Sequence, residues 1–252
     1  MKVRILGCGT STGVPKIGGD WGRCDPAEPR NRRLRTSIMV ESRGERMLVD
    51  CGPDLRQQLL AAEVNRLTGV IVTHAHADHC HGIDELRPVA QAIDAPVPIH
   101  ARRDVLDRLR NSFAYAFTRT SFYRTILEPC ELGDSLSFGD ANVRFADQPH
   151  GGITSLGLRF EEQGRSVGYA VDFNAFNDDM LALYEGVDVW IADCLTRQPH
   201  PTHMHLDGIL RAARDLRVGQ VYLVHMGNGL DYRTLVNELP DWAAPAYDGL
   251  EL

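Results

Sequence analysis

Residues 73–80 read THAHADHC and place His74, His76, Asp78 and His79 in the pattern HxHxDH, directly after the apolar run LTGVIV. Three imidazoles and a carboxylate crowded on one turn are costly to desolvate unless a cation organises them. If that loop binds metal, further ligands should close other apolar runs. His150 follows VRFADQP, Asp172 closes SVGYAV and His225 closes QVYLV. Each is the first strong ligand after its run, and a sheet with parallel neighbours brings such positions to one edge. The five histidines and two aspartates divide into two metal positions. A bridging carboxylate is expected, because cations about 3.5–4 Å apart repel and need shared anionic ligands. Such a pair lowers the pKa of a shared water and polarises a phosphoryl oxygen for in-line attack. Two divalent ions are therefore expected; the donors suit Zn2+ and tolerate Mn2+ or Fe2+.

These ligands need a scaffold of strands. Short β-rich runs recur as KVRILG, TSIMVES, RMLVD, GVIVTH, VPIH, NVRFAD, LGLRFEE, SVGYAVD, VDVWIAD and QVYLVH. Helical patterns interrupt them at DLRQQLLAAEVNRL, DELRPVAQAI, RDVLDRLRNSF, NDDMLALYEG and LDGILRAARDL. The alternation indicates a layered α/β protein, with LGLRFEEQGRSVGYAV adding an antiparallel hairpin. No repeat, low-complexity segment or linker divides residues 1–252, so one domain is expected. DPAEPRNRRLR, residues 25–35, is the longest irregular piece and reads as a surface loop.

Composition narrows the function. The 252 residues are 43% hydrophobic, with 27 Lys+Arg against 34 Asp+Glu and a formal net charge of -7. That balance disfavours a long nucleic acid as partner, whereas a small anion needs only a local cationic site. No apolar run is long enough to span a bilayer and the start lacks a secretory pattern, so no membrane association and a cytoplasmic location are expected. Six scattered cysteines without a CxxC pair argue against a disulfide framework.

The ligand series, with Asp50 in MLVDCG, resembles the metallo-β-lactamase fold hydrolases. Within that superfamily ILGCGTSTGVP, EPRNRRLRTS, YAVDF, HPTHMHL and VHM look like the phosphodiesterase branch of PhnP-type cyclic-phosphate enzymes and tRNase Z. The likeness runs through the whole chain. It implies an αββα sandwich in which His74, His76 and His150 hold one metal, Asp78, His79 and His225 the other, and Asp172 bridges them. It also implies a homodimer. His203 matches the family's histidine just before a helix, a proton donor or phosphate contact; His200 and His205 compete for that part. Asp78 has a second possible role as proton acceptor, and the sequence does not divide ligand from base. Asp50 either caps the helix starting near Pro53 or orients a ligand histidine.

Other features carry blander readings. His81 continues the metal loop, and His100 ends the edge-like run VPIH. GCGTSTG has the wrong spacing for a nucleotide loop, and Ser11 or Thr12 is expected to line the pocket. Arg30, Arg32, Arg33 and Arg35 form a solvated loop face or a patch that recruits phosphate. PhnP-type relatives often carry several cysteines after GVP for a structural zinc, but only Cys24 is present here, so that site is expected to be absent. The resulting expectation is a dinuclear phosphodiesterase for a small phosphodiester, cyclic ones included. Residues 151–171 leave no room for the long arm by which tRNase Z grips its RNA, which disfavours an RNA-processing nuclease. A thioesterase or lactonase on the same fold is the other rival.

Overall fold

A computed structural model describes residues 1–122 and 124–252. The first sheet takes its six strands in chain order: β1 (Lys2–Gly7), β2 (Ser37–Ser42), β3 (Glu45–Val49), β4 (Gly69–Ile71), β5 (Val97–Ala101) and β6 (Leu127–Glu131). It is antiparallel through β3 and parallel from β3 to β6. The second sheet runs β7 (Ser135–Phe138), β8 (Ala141–His150), β9 (Ile153–Glu162), β10 (Arg165–Ala170), β11 (Val189–Asp193), β12 (Gln220–Val224) and β13 (Ala243–Pro245). It is antiparallel through β10 and parallel beyond. The helices are α1 (Leu55–Ala61), α2 (Ala77–Cys80), α3 (Arg87–Ile93), α4 (Arg103–Ser112), α5 (Ala114–Phe117), α6 (Asp178–Tyr184), α7 (Leu206–Asp215) and α8 (Tyr232–Glu238).

Strand periodicity of two explains the layers. Val3, Ile5, Ile38, Val40, Met47, Val49 and Ile71 face the second sheet and share one core with Val143, Leu158 and Phe160. The residues between them, Met39, Leu48 and Val70, face the other way, onto Leu55 and Leu59 of α1, Val89 of α3 and Leu106 and Leu109 of α4. Met180 and Tyr184 of α6, Ile209 of α7 and Leu235 of α8 cover the second sheet around Trp190. Four layers result, an αββα sandwich. No helix among the described residues is long and apolar enough to cross a membrane.

Three expectations change. The helical reading of residues 54–67 holds only for 55–61, because Glu63 adopts a left-handed φ of 55°. Val64 and Leu67 still reach the core, so their periodicity reported burial rather than helix. VPIH is an interior strand between β4 and β6, not an edge. Segment 25–35 is no simple surface loop. Arg33 is buried there, its guanidinium donating to the carbonyls of Leu230 at 2.6 Å and Gly227 at 3.2 Å.

Strand direction brings the site together. β8, β10, β11 and β12 all point the same way, so His150, Asp172, Asp193 and His225 come to one edge. β3 and β4 deliver Asp50 and the HxHxDH loop from the facing sheet. Gly52 lets the two connections pass closely, since a Cβ there would collide with the carbonyl oxygen of Asp78. Gly52→Ala is therefore expected to push the loop away, costing about 1–3 kcal/mol of stability and lowering metal affinity. Thermal unfolding with and without metal would read both, and unchanged values would contradict this packing.

Candidate metal centre

The HxHxDH loop leaves β4 and is anchored from the next strand. Asp50, fully buried, adopts a left-handed φ of 63° just beyond β3. Its Oδ1 accepts from the Thr73 backbone N–H at 2.8 Å and the Thr73 hydroxyl at 3.0 Å, and its Oδ2 accepts from His79 Nδ1 at 2.7 Å. Asp50 caps no helix; α1 begins at Leu55 after Asp54. Holding His79 by Nδ1 turns Nε2 towards Asp78 Oδ2, 3.2 Å away, and Asp172 Oδ2, 3.5 Å away. His150 is oriented in the same manner, donating from Nδ1 to the Thr202 carbonyl at 2.8 Å.

Two clusters form around one carboxylate. In the first, Asp172 Oδ2 lies 3.4 Å from His74 Nε2 and 3.4 Å from His150 Nε2, while His74 Nε2 is 2.9 Å from His76 Nδ1. In the second, His225 Nε2 lies 3.2 Å from Asp172 Oδ1 and 3.5 Å from Asp78 Oδ2, beside His79. Metal–ligand bonds near 2.0–2.1 Å in tetrahedral geometry would place ligand atoms about 3.4 Å apart, so these spacings fit divalent ions. The donor atoms of each cluster all lie within 4.8 Å of one another. His79 Nε2 and Asp172 Oδ1 are also buried without a hydrogen-bond partner, as ligand atoms reserved for a cation would be. Asp172 and His225 both have φ of 55°, a strained left-handed turn that swings each side chain back over the strand ends.

His203 stands at the rim of this group. Its ring centroid is 4.9 Å from those of both His150 and His225. Its Nδ1 donates to Asp193 Oδ2 at 2.9 Å. His200 is exposed beside Thr202, and His205 sits ahead of α7; neither lines the cavity of about 410 Å³ that holds Ser11, His76, Asp78, His150 and His203. Thr12 does not line it either. His81 packs edge-on against Phe113 instead. Asp193, fully buried with Oδ1 3.7 Å from His225 Nδ1, escaped the sequence reading. It closes the run VWIA just as Asp172 closes its own, so the same rule would have found it.

The charges are strongly coupled. Burial opposes protonation of His225, but Asp172, Asp78 and Asp193 outweigh it and raise its pKa to about 9. His79 moves the same way, burial being overcome by Asp172, Asp50 and Asp78. Burial would raise Asp78 and Asp172, yet the surrounding imidazoles hold both below the ordinary carboxylate range. Burial, together with His74 and His150, lowers His76 to about 4. A cation entering the second cluster must displace protons from His79 and His225. Below pH 9 the His225 proton competes, and the His79 proton competes in the same direction, so metal affinity should rise with pH, by about tenfold per unit for each proton released. Competition with a chromogenic chelator at pH 6.5 and 8.5 measures this; equal affinities would contradict it.

Comparisons with known proteins give the family. A model described as the beta-lactamase superfamily domain matches residues 45–226. A crystal structure of a diphosphatase from the PhnP family superposes with a TM-score of 0.90 at 31% identity, covering 100% of this chain and 97% of that one. An octanoyltransferase of Porphyromonas gingivalis is 28% identical over 100% of this chain but only 51% of its own length. A ribonuclease Z of Gemmatimonas aurantiaca is 32% identical over 55% of this chain and 45% of its own. The chain thus spans about half the length of these two relatives. On the family match and the PhnP-family likeness together, the chain belongs to the beta-lactamase superfamily of metal-dependent hydrolases, in its PhnP-like branch.

Proposed function

We propose that the protein is a dinuclear phosphodiesterase that cleaves a small phosphodiester, cyclic ones included. The observation that carries this reading is Asp172, which stands between the two clusters, its Oδ2 within 3.5 Å of His74, His150 and His79 and its Oδ1 3.2 Å from His225. His74, His76 and His150 would hold one ion, Asp78, His79 and His225 the other, with Asp172 shared between them. Divalent ions so held, Zn2+ or Mn2+, would neutralise phosphoryl charge and ionise water near neutral pH. The chain's own groups supply the rest. Asp193 holds His203 by Nδ1, leaving Nε2 free to give its proton to the departing alkoxide. Asp78, at the cavity wall, can accept the proton from the attacking water. Ser11 and Ile153 narrow the cavity to a small substrate.

The PhnP-family relative is named a diphosphatase, which favours a second reading in which the scissile bond lies within a diphosphate ester. Both readings place attack at phosphorus. The stretch between His150 and Asp172 is filled by β9 and β10, which supports a small substrate over a transfer RNA.

His203→Ala should lower kcat by roughly 10²–10⁴-fold on a substrate with an alkoxide leaving group. On a p-nitrophenyl ester, whose leaving group needs no proton, the loss should be far smaller. Equal losses on the two substrates would remove His203 from that role. Asp193→Asn should cost about 10–100-fold on the alkoxide substrate while metal content stays constant. Parallel assays on a p-nitrophenyl phosphodiester, a diphosphate ester and a thioester test the reaction class. Turnover of the thioester alone, with either zinc or manganese, would overturn the proposal.

A further inference from the structure

Two arginines of segment 30–35 are not absorbed by the fold. Arg33 is buried, and Arg35 pairs with Asp54 at 3.0 Å. Arg30 and Arg32 stay exposed and make no ion pair among the described residues. The Arg30 guanidinium carbon lies 5.0 Å from the Tyr232 ring centroid and 5.1 Å from that of Tyr247; the Arg32 carbon lies 5.2 Å from that of Trp21. Aromatic contact leaves such guanidiniums weakly hydrated and fixed in direction.

Both side chains line a cavity of about 410 Å³, together with Arg4, Gln57, Gln58 and Tyr247. It shares no lining residue with the metal-centre cavity. Its size falls in the roughly 300–1,000 Å³ range of small-molecule sites. Arg4 already has a carboxylate partner, Glu251 at 3.6 Å, whereas Arg30 and Arg32 have none among the described residues and need an anion between them, and planar forks favour phosphate oxygens. The carboxylate in the wall, Asp248, does not meet that need. Its two oxygens accept from the backbone N–H groups of Cys8 at 3.0 Å and Leu34 at 2.7 Å. Gln58 is 2% exposed, donates from Nε2 to the Arg35 carbonyl at 2.8 Å and leaves Oε1 without a partner. That acceptor calls for a hydroxyl or amine on the same ligand as the phosphate.

We propose that this cavity is a second binding site, separate from the metal centre, for a small phosphomonoester that carries hydroxyl or amino groups. Arg30 and Arg32 receive the phosphate, and Gln58 receives the donor group. The site borders backbone that leads to the metal centre: Asp248 holds Cys8, whose carbonyl accepts from Met226, the neighbour of His225. The inference does not depend on which bond the metal centre cleaves.

Isothermal titration of the full metal-loaded chain with ribose 5-phosphate, adenosine 5′-monophosphate, adenosine and inorganic phosphate tests it. At least one phosphomonoester should bind the wild type and the His76→Ala variant, which disables the metal centre, with the same Kd. Its binding should weaken at least about tenfold in the Arg30→Ala/Arg32→Ala double variant and also in Gln58→Leu. Adenosine should not bind, and inorganic phosphate should bind more weakly than the ester. Circular dichroism establishes that all the variants are folded, and unchanged metal content does so again for the arginine and Gln58 variants. Absence of binding by both esters would overturn the proposal. So would binding that survives the double arginine variant, binding that disappears in His76→Ala, or inorganic phosphate binding as tightly as the esters.

Discussion

Asp172 is the constraint on which the rest of the structure turns. It is a carboxylate 2% exposed, with ring nitrogens of His74, His79, His150 and His225 all within 3.5 Å. Burying one ionised carboxylate costs several kcal/mol unless positive charge is brought to it. Four neutral imidazoles do not repay that cost, and four protonated ones would repel each other. The stable arrangement takes a proton on some of them or a divalent cation in their place. The raised pKa values of His79 and His225 describe the first solution; the proposed enzyme uses the second.

The fold exists to hold that arrangement still. Each candidate ligand sits at or just past the C-terminal end of a strand, and parallel or doubly antiparallel neighbours send those ends to one edge. Behind the ligands, Asp50 and the Thr202 carbonyl fix two imidazole rings by their far nitrogens. The left-handed backbone at Asp50, Asp172 and His225 costs about 1–3 kcal/mol at each position and persists because the packed sheets leave the chain no alternative. Sheet packing thereby supplies the strain that points the ligands inward.

Much of the candidate site was legible because its residues obey one positional rule, a metal-capable side chain after an apolar run. HxHxDH, His150, Asp172 and His225 were all found in that way. Asp193 obeys it too but stands alone in sequence. Its meaning depends on His203, ten residues on, which is brought back where Thr196 bridges to His205 beside β11. The left-handed turns left no clear trace, since aspartate and histidine tolerate that conformation without marking it as glycine does. In the fold, the interior strands read clearly through their alternation. The strands that were missed, β6, β7 and β13, lie at sheet edges. Two of them contain proline, Pro129 and Pro245, which breaks the sequence signal but is tolerated at an edge. Segment 25–35 looked solvated by composition, yet the Arg33 guanidinium finds enough carbonyl acceptors to be buried.

The central claim is that two cations share Asp172, and metal counting combined with anomalous diffraction tests it most directly. The wild-type chain should hold two ions, one beside His74, His76 and His150 and one beside Asp78, His79 and His225. Asp172→Ala, folded by circular dichroism, should lose both, whereas His76→Ala should weaken only the first. A wild-type chain that saturates with a single ion, or an Asp172→Ala variant that retains two, would contradict the account.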